Sequence, residues 1–129
     1  MSEAIVRKQR PKFLALHEIR LPLPGIVSIL HRVSGAGLFL MMPFLLYLFD
    51  RSLASPESFA AYKSVVGNPL VKLLLLGLLW AYMHHFCAGI RFLLLDLHKG
   101  IDLQSARNSS RIVLVVSIAL TVIIGVKLW

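Results

Sequence analysis

The sequence has few of the residues that build soluble catalytic or metal sites. It contains one cysteine, Cys87, and six acidic residues. A single cysteine excludes an internal disulfide and a cysteine-based metal cluster, and its place in an apolar run predicts a buried, inert thiol. There is no catalytic triad, carboxylate pair or phosphate-binding glycine loop. The chain therefore has no residues of its own for hydrolysis or nucleotide chemistry.

What the chain has in abundance is apolar residues. Of its 129 residues, 57% are hydrophobic and only 16% are charged, against about 45–50% and about 25% in soluble domains. The net charge of +8 comes from basic residues that lie mainly between the apolar runs. No basic face remains to bind a phosphate backbone, so we do not expect a nucleic-acid partner.

The apolar residues form three runs, at residues 25–49, 69–95 and 112–129. Each is long enough, at about 1.5 Å per residue, to cross or nearly cross a hydrocarbon core of about 30 Å. The sequence thus predicts an all-α integral membrane protein of three spans, forming a single domain over residues 1–129. None of the three runs contains an acidic residue, which argues against a proton- or cation-coupled transporter.

The polar connectors contain helix-boundary signals. Ser55-Pro56-Glu57 predicts a cap, a first-turn proline and a first-turn acid, and Gly67 predicts the end of a short surface helix. Asn68-Pro69 repeats the start signal for the second span. In the second connector, Ser109 or Ser110 is available to cap the third span.

The distribution of basic residues predicts the orientation. Three spans place the N-terminal segment and the second connector on one side of the membrane. That side carries the larger set of basic residues: Arg7, Lys8, Arg10, Lys12, Arg20, Lys99, Arg107 and Arg111. The other side carries Arg51, Lys63 and Lys127. The positive-inside rule therefore predicts a cytoplasmic N-terminus. No apolar segment of a secretory signal follows the first basic residues, so we expect a bacterial inner-membrane protein inserted by its own helices.

Polar side chains inside the spans are the most informative feature of the chain. They lie near the start of the first span and near the end of the second: Ser28, His31, Arg32, His84, His85 and Arg91. Because these two spans run in opposite directions, both groups are predicted at a similar depth on the cytoplasmic side. An arginine inside a span costs about 2.5–3.5 kcal/mol on insertion scales unless it finds a partner or the interface, so a functional cluster is indicated.

The polar residues of the first span have two interpretations. Ser28 and Arg32 are four residues apart and share a helix face with Gly35, while His31 is three residues from Ser28. Such a face can bind a polar ligand. Alternatively, Arg32 extends to lipid headgroups and Ser28 bonds to its own helix backbone.

In the second span, His85 lies between Ala81 and Gly89 on one face. Two small residues leave a shallow groove that a flat macrocycle could enter, and imidazole is a common axial ligand of haem iron. The alternative is a packing face of small residues on which His85 bonds to a neighbouring helix. His84 points about 100° away and could be the ligand on chemistry alone.

These residues fall in recognisable motifs. The run Ser28–Gly35 resembles the signature of the larger cytochrome b anchor subunit of succinate dehydrogenase, respiratory complex II. The run His85–Arg91 resembles the haem-ligand motif of that family, a histidine followed four residues later by Gly-Ile-Arg. Lys8–Pro11 and Ile19–Pro22 are similar to its N-terminal approach segment, so the likeness extends over essentially the whole chain. Phe92 departs from the gamma-proteobacterial pattern, in which another histidine follows Gly-Ile-Arg.

The resemblance implies roles for individual residues. His85 would be an axial ligand of the iron of a b-type haem, with the second histidine supplied by the small anchor subunit. Ser28 and Arg32 would line the ubiquinone pocket on the cytoplasmic side. His31 would lie near the haem propionates, with Arg91 as the lesser candidate there. The resemblance assigns no role to His84.

The resemblance also implies the function. The chain would be a non-catalytic subunit of succinate dehydrogenase, in electron transport and the tricarboxylic acid cycle. Its partners in a heteromeric helix bundle and complex would be the small anchor, the iron–sulfur subunit and the flavoprotein, with membrane lipid around them. Two alternatives stay open: the anchor of a fumarate reductase, which runs the chemistry in reverse, and a cofactor-free membrane assembly protein.

Overall fold

A computed structural model describes residues 18–129, which contain four α-helices and no strand. The helices are α1 (Leu23–Ala54), α2 (Pro56–Gly67), α3 (Pro69–Asp96) and α4 (Leu103–Leu128). Three of them, α1, α3 and α4, are long and apolar enough to cross a membrane. The predicted all-α membrane fold with three spans is confirmed.

The chain enters α1 through prolines. Pro22 occupies the N-cap position in an extended conformation, and Pro24 lies in the first helical turn, where a missing N–H leaves no hydrogen bond unmade. These residues adjoin the motif Ile19–Pro22. The other part of the approach motif, Lys8–Pro11, lies outside the described residues.

The predicted boundaries of α2 are confirmed. The Ser58 amide donates to Ser55 Oγ at 3.1 Å, and the Ser55 amide donates to Ser58 Oγ at 2.9 Å. This reciprocal capping box holds the first turn of α2, which ends at Gly67 as predicted. Asn68 then caps α3 by accepting the Leu70 amide at 2.9 Å.

The predicted start of α4 is wrong. We expected Ser109 or Ser110 to cap the helix, but both lie inside it. The cap is Asp102, whose carboxylate accepts the Ser105 amide at 2.9 Å, and the helix begins at Leu103. The apolar run marks only where the helix meets the hydrocarbon core. The polar turns that precede the apolar run are also helical, and they contain Ser109 and Ser110.

The turn between α3 and α4 closes in a Schellman motif. His98 has a left-handed φ of 57° and donates its amide to the Leu95 carbonyl at 2.9 Å. The Lys99 amide donates to the Leu94 carbonyl at 3.0 Å. Gly100, with a φ of 72°, follows. These two positive-φ residues reverse the chain within a few residues, so α4 returns alongside α3 as its antiparallel neighbour.

The three spanning helices meet along a narrow and partly polar interior. Its apolar part is small: Val27 from α1, Ala88 from α3 and Val113 from α4. The face of α4 that is buried carries mainly small side chains: Ser110, Val113, Ser117, Thr121 and Gly125. Small residues let helices approach closely when no hydrophobic effect drives their association in lipid. Most large apolar side chains are exposed on the outside, as expected of a surface covered by lipid.

The buried hydroxyls of α4 are satisfied within the helix itself. Ser110 donates to the Ala106 carbonyl at 2.7 Å, and Thr121 donates to the Ser117 carbonyl at 2.7 Å. The hydroxyl of Ser117 donates to a carbonyl of the preceding turn at 3.0 Å. These bonds remove the cost of burying an unpaired hydroxyl.

The Asp102 cap makes the start of α4 sensitive to acid. Hydrogen bonds from the Ser105 backbone and side chain hold the pKa of Asp102 below its ordinary value. A depressed pKa contributes stability that is present above about pH 3.9 and is lost as the pH falls through the folded value. We expect Asp102→Ala to speed amide hydrogen exchange at Ser105 and its neighbours at neutral pH. Asp102→Ser, which keeps a capping oxygen, is expected to exchange like the parent; equal exchange in all three would contradict the assigned cap.

Candidate functional site

Two imidazoles from different helices form the centre of the candidate site. The rings of His31 on α1 and His85 on α3 are stacked, with centroids 4.1 Å apart and planes inclined by 7°. This contact confirms that the polar residues of the first and second spans lie at the same level. The level is the end of the bundle where α1 starts, α3 finishes and α4 begins.

The His85 ring is anchored to the backbone of α1 by one nitrogen. Its Nδ1 lies 3.0 Å from the His31 carbonyl oxygen and 3.3 Å from Ser34 Oγ. Because a carbonyl oxygen can only accept, Nδ1 carries the hydrogen in this arrangement. A neutral imidazole protonated at Nδ1 leaves Nε2 with its lone pair free for a metal. The geometry thus selects the nitrogen that can act as ligand.

A glycine makes this close approach possible. A Cβ at Gly35 would lie 2.7 Å from Cε1 and 3.1 Å from Nδ1 of His85, a separation that real side chains do not tolerate. The imidazole therefore lies directly against the α1 backbone, in space that any other residue at position 35 would fill. The sequence placed Gly35 on the Ser28–Arg32 face, but the structure puts it against His85.

The predicted groove beside Gly89 is partly occupied. Nε2 of His31 lies 3.8 Å from the position that a Gly89 Cβ would take. The other side of the His31 ring meets Phe92, with centroids 5.0 Å apart and planes inclined by 54°. His31 is thus held between α3 residues on two sides. Phe92, which replaces the histidine of the gamma-proteobacterial pattern, offers His31 an apolar contact instead of a polar one.

His84 lies in a different environment from its neighbour. It is completely buried, and among residues 18–129 neither ring nitrogen has a hydrogen-bond partner of good geometry, while the Val27 main chain lies beside the ring. Its closest aromatic neighbour is Trp80, 5.4 Å away between centroids, whose Nε1 is also buried and unpaired. No pattern in the sequence indicates that His84 is more deeply buried than His85.

Arg91 joins α3 to α4. It is only 6% exposed, and its Nε donates to Ser109 Oγ at 2.9 Å while Nη2 donates to the Ala106 carbonyl at 3.5 Å. The guanidinium also lies 5.5 Å from the centroid of the Phe92 ring. These contacts hold the start of α4 against the end of α3, and they explain why Ser109 lies inside a helix rather than at its cap. Within the described chain, the hydrogen bonds of Arg91 are made to α4.

Ser28 and Arg32 lie on α1 with free polar groups. Ser28 is half-buried and Arg32 is exposed. Within residues 18–129 neither side chain has a hydrogen bond or ion pair with another residue. The alternative in which Ser28 bonds to its own helix backbone is therefore not the arrangement observed, in contrast to the back-bonded Ser34. A donor pair four residues apart remains available to a ligand outside the chain.

A cavity of the bundle lies away from this cluster. Its volume is about 600 Å³, and it lies among α2, the start of α3 and the end of α4, with mostly leucines and the polar residues Tyr62, Lys63, Lys72 and Tyr82 in its wall. None of the predicted site residues lines it.

The chemistry of the cluster fits a single axial ligand to haem iron. His85 offers one directed lone pair, and among residues 18–129 no group of three His, Cys, Asp or Glu side chains could hold a metal ion unaided. His31 cannot supply the second axial position in this arrangement, because its ring is stacked face to face with that of His85. In-plane lone pairs of parallel rings do not point at one atom between them. His31 would therefore not complete the coordination of an iron held by His85.

Comparisons with known proteins agree with these features. The sequence model of a family described as "Succinate dehydrogenase/Fumarate reductase transmembrane subunit" matches residues 6–124. The succinate dehydrogenase cytochrome b556 subunit of Coxiella burnetii is 39% identical over 122 residues, which are 94% of this chain and 98% of that protein. The subunit of the same name from Paracoccus denitrificans is 32% identical over 117 residues, 91% and 90% of the two chains. That from Rickettsia felis is 27% identical over 121 residues, 94% of each.

Two glycines of α1 provide a direct test of the α1–α3 contact. We expect Gly35→Ala to lower the midpoint of thermal unfolding in detergent, because overpacking costs about 1–3 kcal/mol and the new Cβ displaces the His85 ring. Gly37→Ala is the matched control, since nothing lies within 4 Å of its Cβ position. That control should keep or slightly raise the midpoint through better helix propensity. Equal midpoints for the two variants would contradict the close approach.

Proposed function

The chain belongs to the succinate dehydrogenase/fumarate reductase transmembrane subunit family, and we propose that it holds one side of a haem b and forms part of a ubiquinone-reduction site. As a member of that family, it is a multi-pass membrane subunit of an enzyme complex. Its bacterial relatives indicate the inner membrane as its location. The catalytic oxidation of succinate would take place on partner subunits.

The observation that supports the haem role best is the environment of His85. Its Nδ1 is hydrogen-bonded to the His31 carbonyl, an arrangement that leaves the lone pair of the neutral ring on Nε2. Metal-binding histidines usually donate their other ring N–H to a carbonyl or carboxylate in this way. The name cytochrome b556 that its relatives carry fits a haem b at this ligand. When bound, the haem supplies one-electron redox chemistry that no side chain here can provide.

We propose that His31 and Arg91 lie near the haem propionates, and the contacts of the two side chains favour His31. His31 adjoins the His85 ring directly, so it is well placed to contact the edge of a haem held there. Arg91 already donates to Ser109 and Ala106 on α4. These bonds hold the guanidinium against α4, so only its remaining N–H groups could contact a propionate. We therefore regard His31 as the main contact.

Ser28 and Arg32 are proposed to bind ubiquinone. A guanidinium near a quinone oxygen stabilises the negative charge that develops when the quinone is reduced, and a serine hydroxyl can donate to a quinone carbonyl. Neither group has a hydrogen bond to another of residues 18–129, and the two positions lie one turn apart on α1. The chain itself contributes orientation and electrostatic stabilisation.

The complex requires further chains. We propose that the second axial histidine comes from a small anchor subunit, and that an iron–sulfur subunit and a flavoprotein are bound at the cytoplasmic face. With the N-terminus in the cytoplasm, as the basic residues predict, the His31–His85 end of the bundle faces those soluble subunits. The relatives named above favour succinate oxidation. The family description also covers fumarate reductases, and measuring the ratio of the two activities in the purified complex separates them.

The two adjacent histidines allow a matched test of the haem ligand. We expect His85→Ala to abolish or strongly reduce haem b in the purified complex, read from the Soret and alpha bands of the reduced-minus-oxidised spectrum. His84→Leu should retain haem, because replacing a buried, unpaired imidazole by an apolar side chain removes no hydrogen bond.

Two results would contradict this assignment. A His85→Ala complex with the parental bis-imidazole spectrum would exclude His85 as ligand. Loss of haem in His84→Leu with retention in His85→Ala would instead make His84 the ligand. A wild-type complex without haem bands would support the cofactor-free assembly protein.

Arg32 provides the test of the quinone role. We expect Arg32→Leu to slow ubiquinone reduction by about 10²-fold, the usual effect of removing a donor to a developing oxyanion. Succinate oxidation with an artificial soluble acceptor should continue. Arg51→Leu is the control, since Arg51 is an exposed arginine near the other end of the same helix, over the Tyr47 ring. Equal loss of both activities in Arg32→Leu would indicate misassembly rather than a quinone contact.

A further inference from the structure

Ser34 contacts the candidate haem ligand, and no motif assigns it a role. It lies on α1 and is only 6% exposed. Its hydroxyl donates to the His31 carbonyl oxygen at 3.0 Å, and its Oγ lies 3.3 Å from Nδ1 of His85 on α3. It is therefore one of the few side chains whose polar atom contacts both a backbone acceptor of its own helix and the candidate haem ligand.

The directions of these bonds follow from counting hydrogens. A serine hydroxyl has one hydrogen and two lone pairs. When that hydrogen is donated to the His31 carbonyl, only lone pairs of Oγ are left to face His85. The contact at 3.3 Å must then run from Nδ1–H of His85 to Ser34 Oγ. The same N–H also points at the His31 carbonyl, at 3.0 Å, so it is shared between two acceptors.

We propose that Ser34 is a positioning residue that fixes the tautomer and orientation of His85 and thereby tunes the haem. This inference rests on the proposed role of His85 as axial ligand. Two acceptors at Nδ1 stabilise the tautomer whose lone pair lies on Nε2. Acceptors at the outer nitrogen also raise the basicity of a metal-binding imidazole, which stabilises ferric haem relative to ferrous haem.

The ordinary structural explanation of a buried serine can be separated from this role. Ser117 on α4 is also buried, and its hydroxyl donates to the Leu114 carbonyl at 3.0 Å, the same local bond that Ser34 makes. Ser117 has no hydrogen bond to an imidazole within the described chain. Ser117→Ala thus removes an equivalent back-bonded hydroxyl and leaves His85 untouched.

The test uses the complete complex purified with Ser34→Ala, Ser34→Thr and Ser117→Ala. Loss of an outer-shell partner typically weakens metal binding by about 10–100-fold, so Ser34→Ala should release haem more readily. Its haem midpoint potential should rise, and a tenfold weaker preference for the ferric form corresponds to about 59 mV for one electron. The threonine variant keeps the hydroxyl and its bond to the preceding turn, so it should restore the parental potential. Ser117→Ala should match the parent.

If Ser34→Ala fails to assemble, Ser34→Cys keeps a side chain of similar shape with a much weaker acceptor, and it should also raise the potential. A potential that is unchanged or lower in the alanine and cysteine variants overturns the inference, as does an equal rise in Ser117→Ala. A failure of this inference can be distinguished from a failure of the proposed function. Retention of haem in His85→Ala would exclude His85 as the ligand and would contradict the proposed function. Loss of haem in His85→Ala, together with a parental potential in Ser34→Ala, would contradict only the positioning role of Ser34.

Discussion

The contact between the His85 ring and the backbone of α1 is the constraint on which the candidate site depends. It exists because position 35 lacks a Cβ, which would lie 2.7 Å from His85 Cε1. With the helices this close, the ring reaches the His31 carbonyl and Ser34 Oγ. A wider separation would lose the Nδ1 hydrogen bond, and with it the distinction between the two ring nitrogens. The site is thus a consequence of backbone proximity.

The rest of the bundle is built to permit such proximity in lipid. Helices in a bilayer gain little from burying leucine against leucine, because the lipid is equally apolar. Here the large apolar side chains mostly face outwards, and the interior contains small or hydroxyl-bearing residues whose hydrogen bonds are made locally. Gly125, near the end of α4, also allows close helix packing, since a Cβ at this position would lie 3.1 Å from Leu76 Cδ1 on α3. Arg91 adds a polar link to α4 through Ser109.

Much of this fold could be predicted from the sequence, and the exceptions have physical causes. Apolar length identifies the spans, and Ser55 and Asn68 are local signals that identify caps. The start of α4 was missed because hydropathy marks the membrane rather than the helix, so the cap at Asp102 lay outside the apolar run. The shared depth of the polar residues followed from topology. The contacts of Ser34 and Gly35 with His85 did not, because they depend on the distance and rotation between two helices. The burial of His84 depends on the same quantities.

The geometry of α1 explains how one short run of sequence can serve two ligands. His31, Ser34 and Gly35 are three and four residues apart and form the stripe that meets His85 on α3. The other pair, Ser28 and Arg32, lies within the same stretch of helix but makes no hydrogen bond within the part of the chain that the structure describes. Ser28 lies two turns before Gly35 and therefore on nearly the same stripe, with Arg32 beside it. Under the proposed function, the haem ligand and the quinone are held by adjoining parts of this face. A rotation of α1 would change both environments together. The dense polar motif is therefore best understood as one helix face with two adjoining binding regions, and the close approach at Gly35 sets its rotation relative to α3.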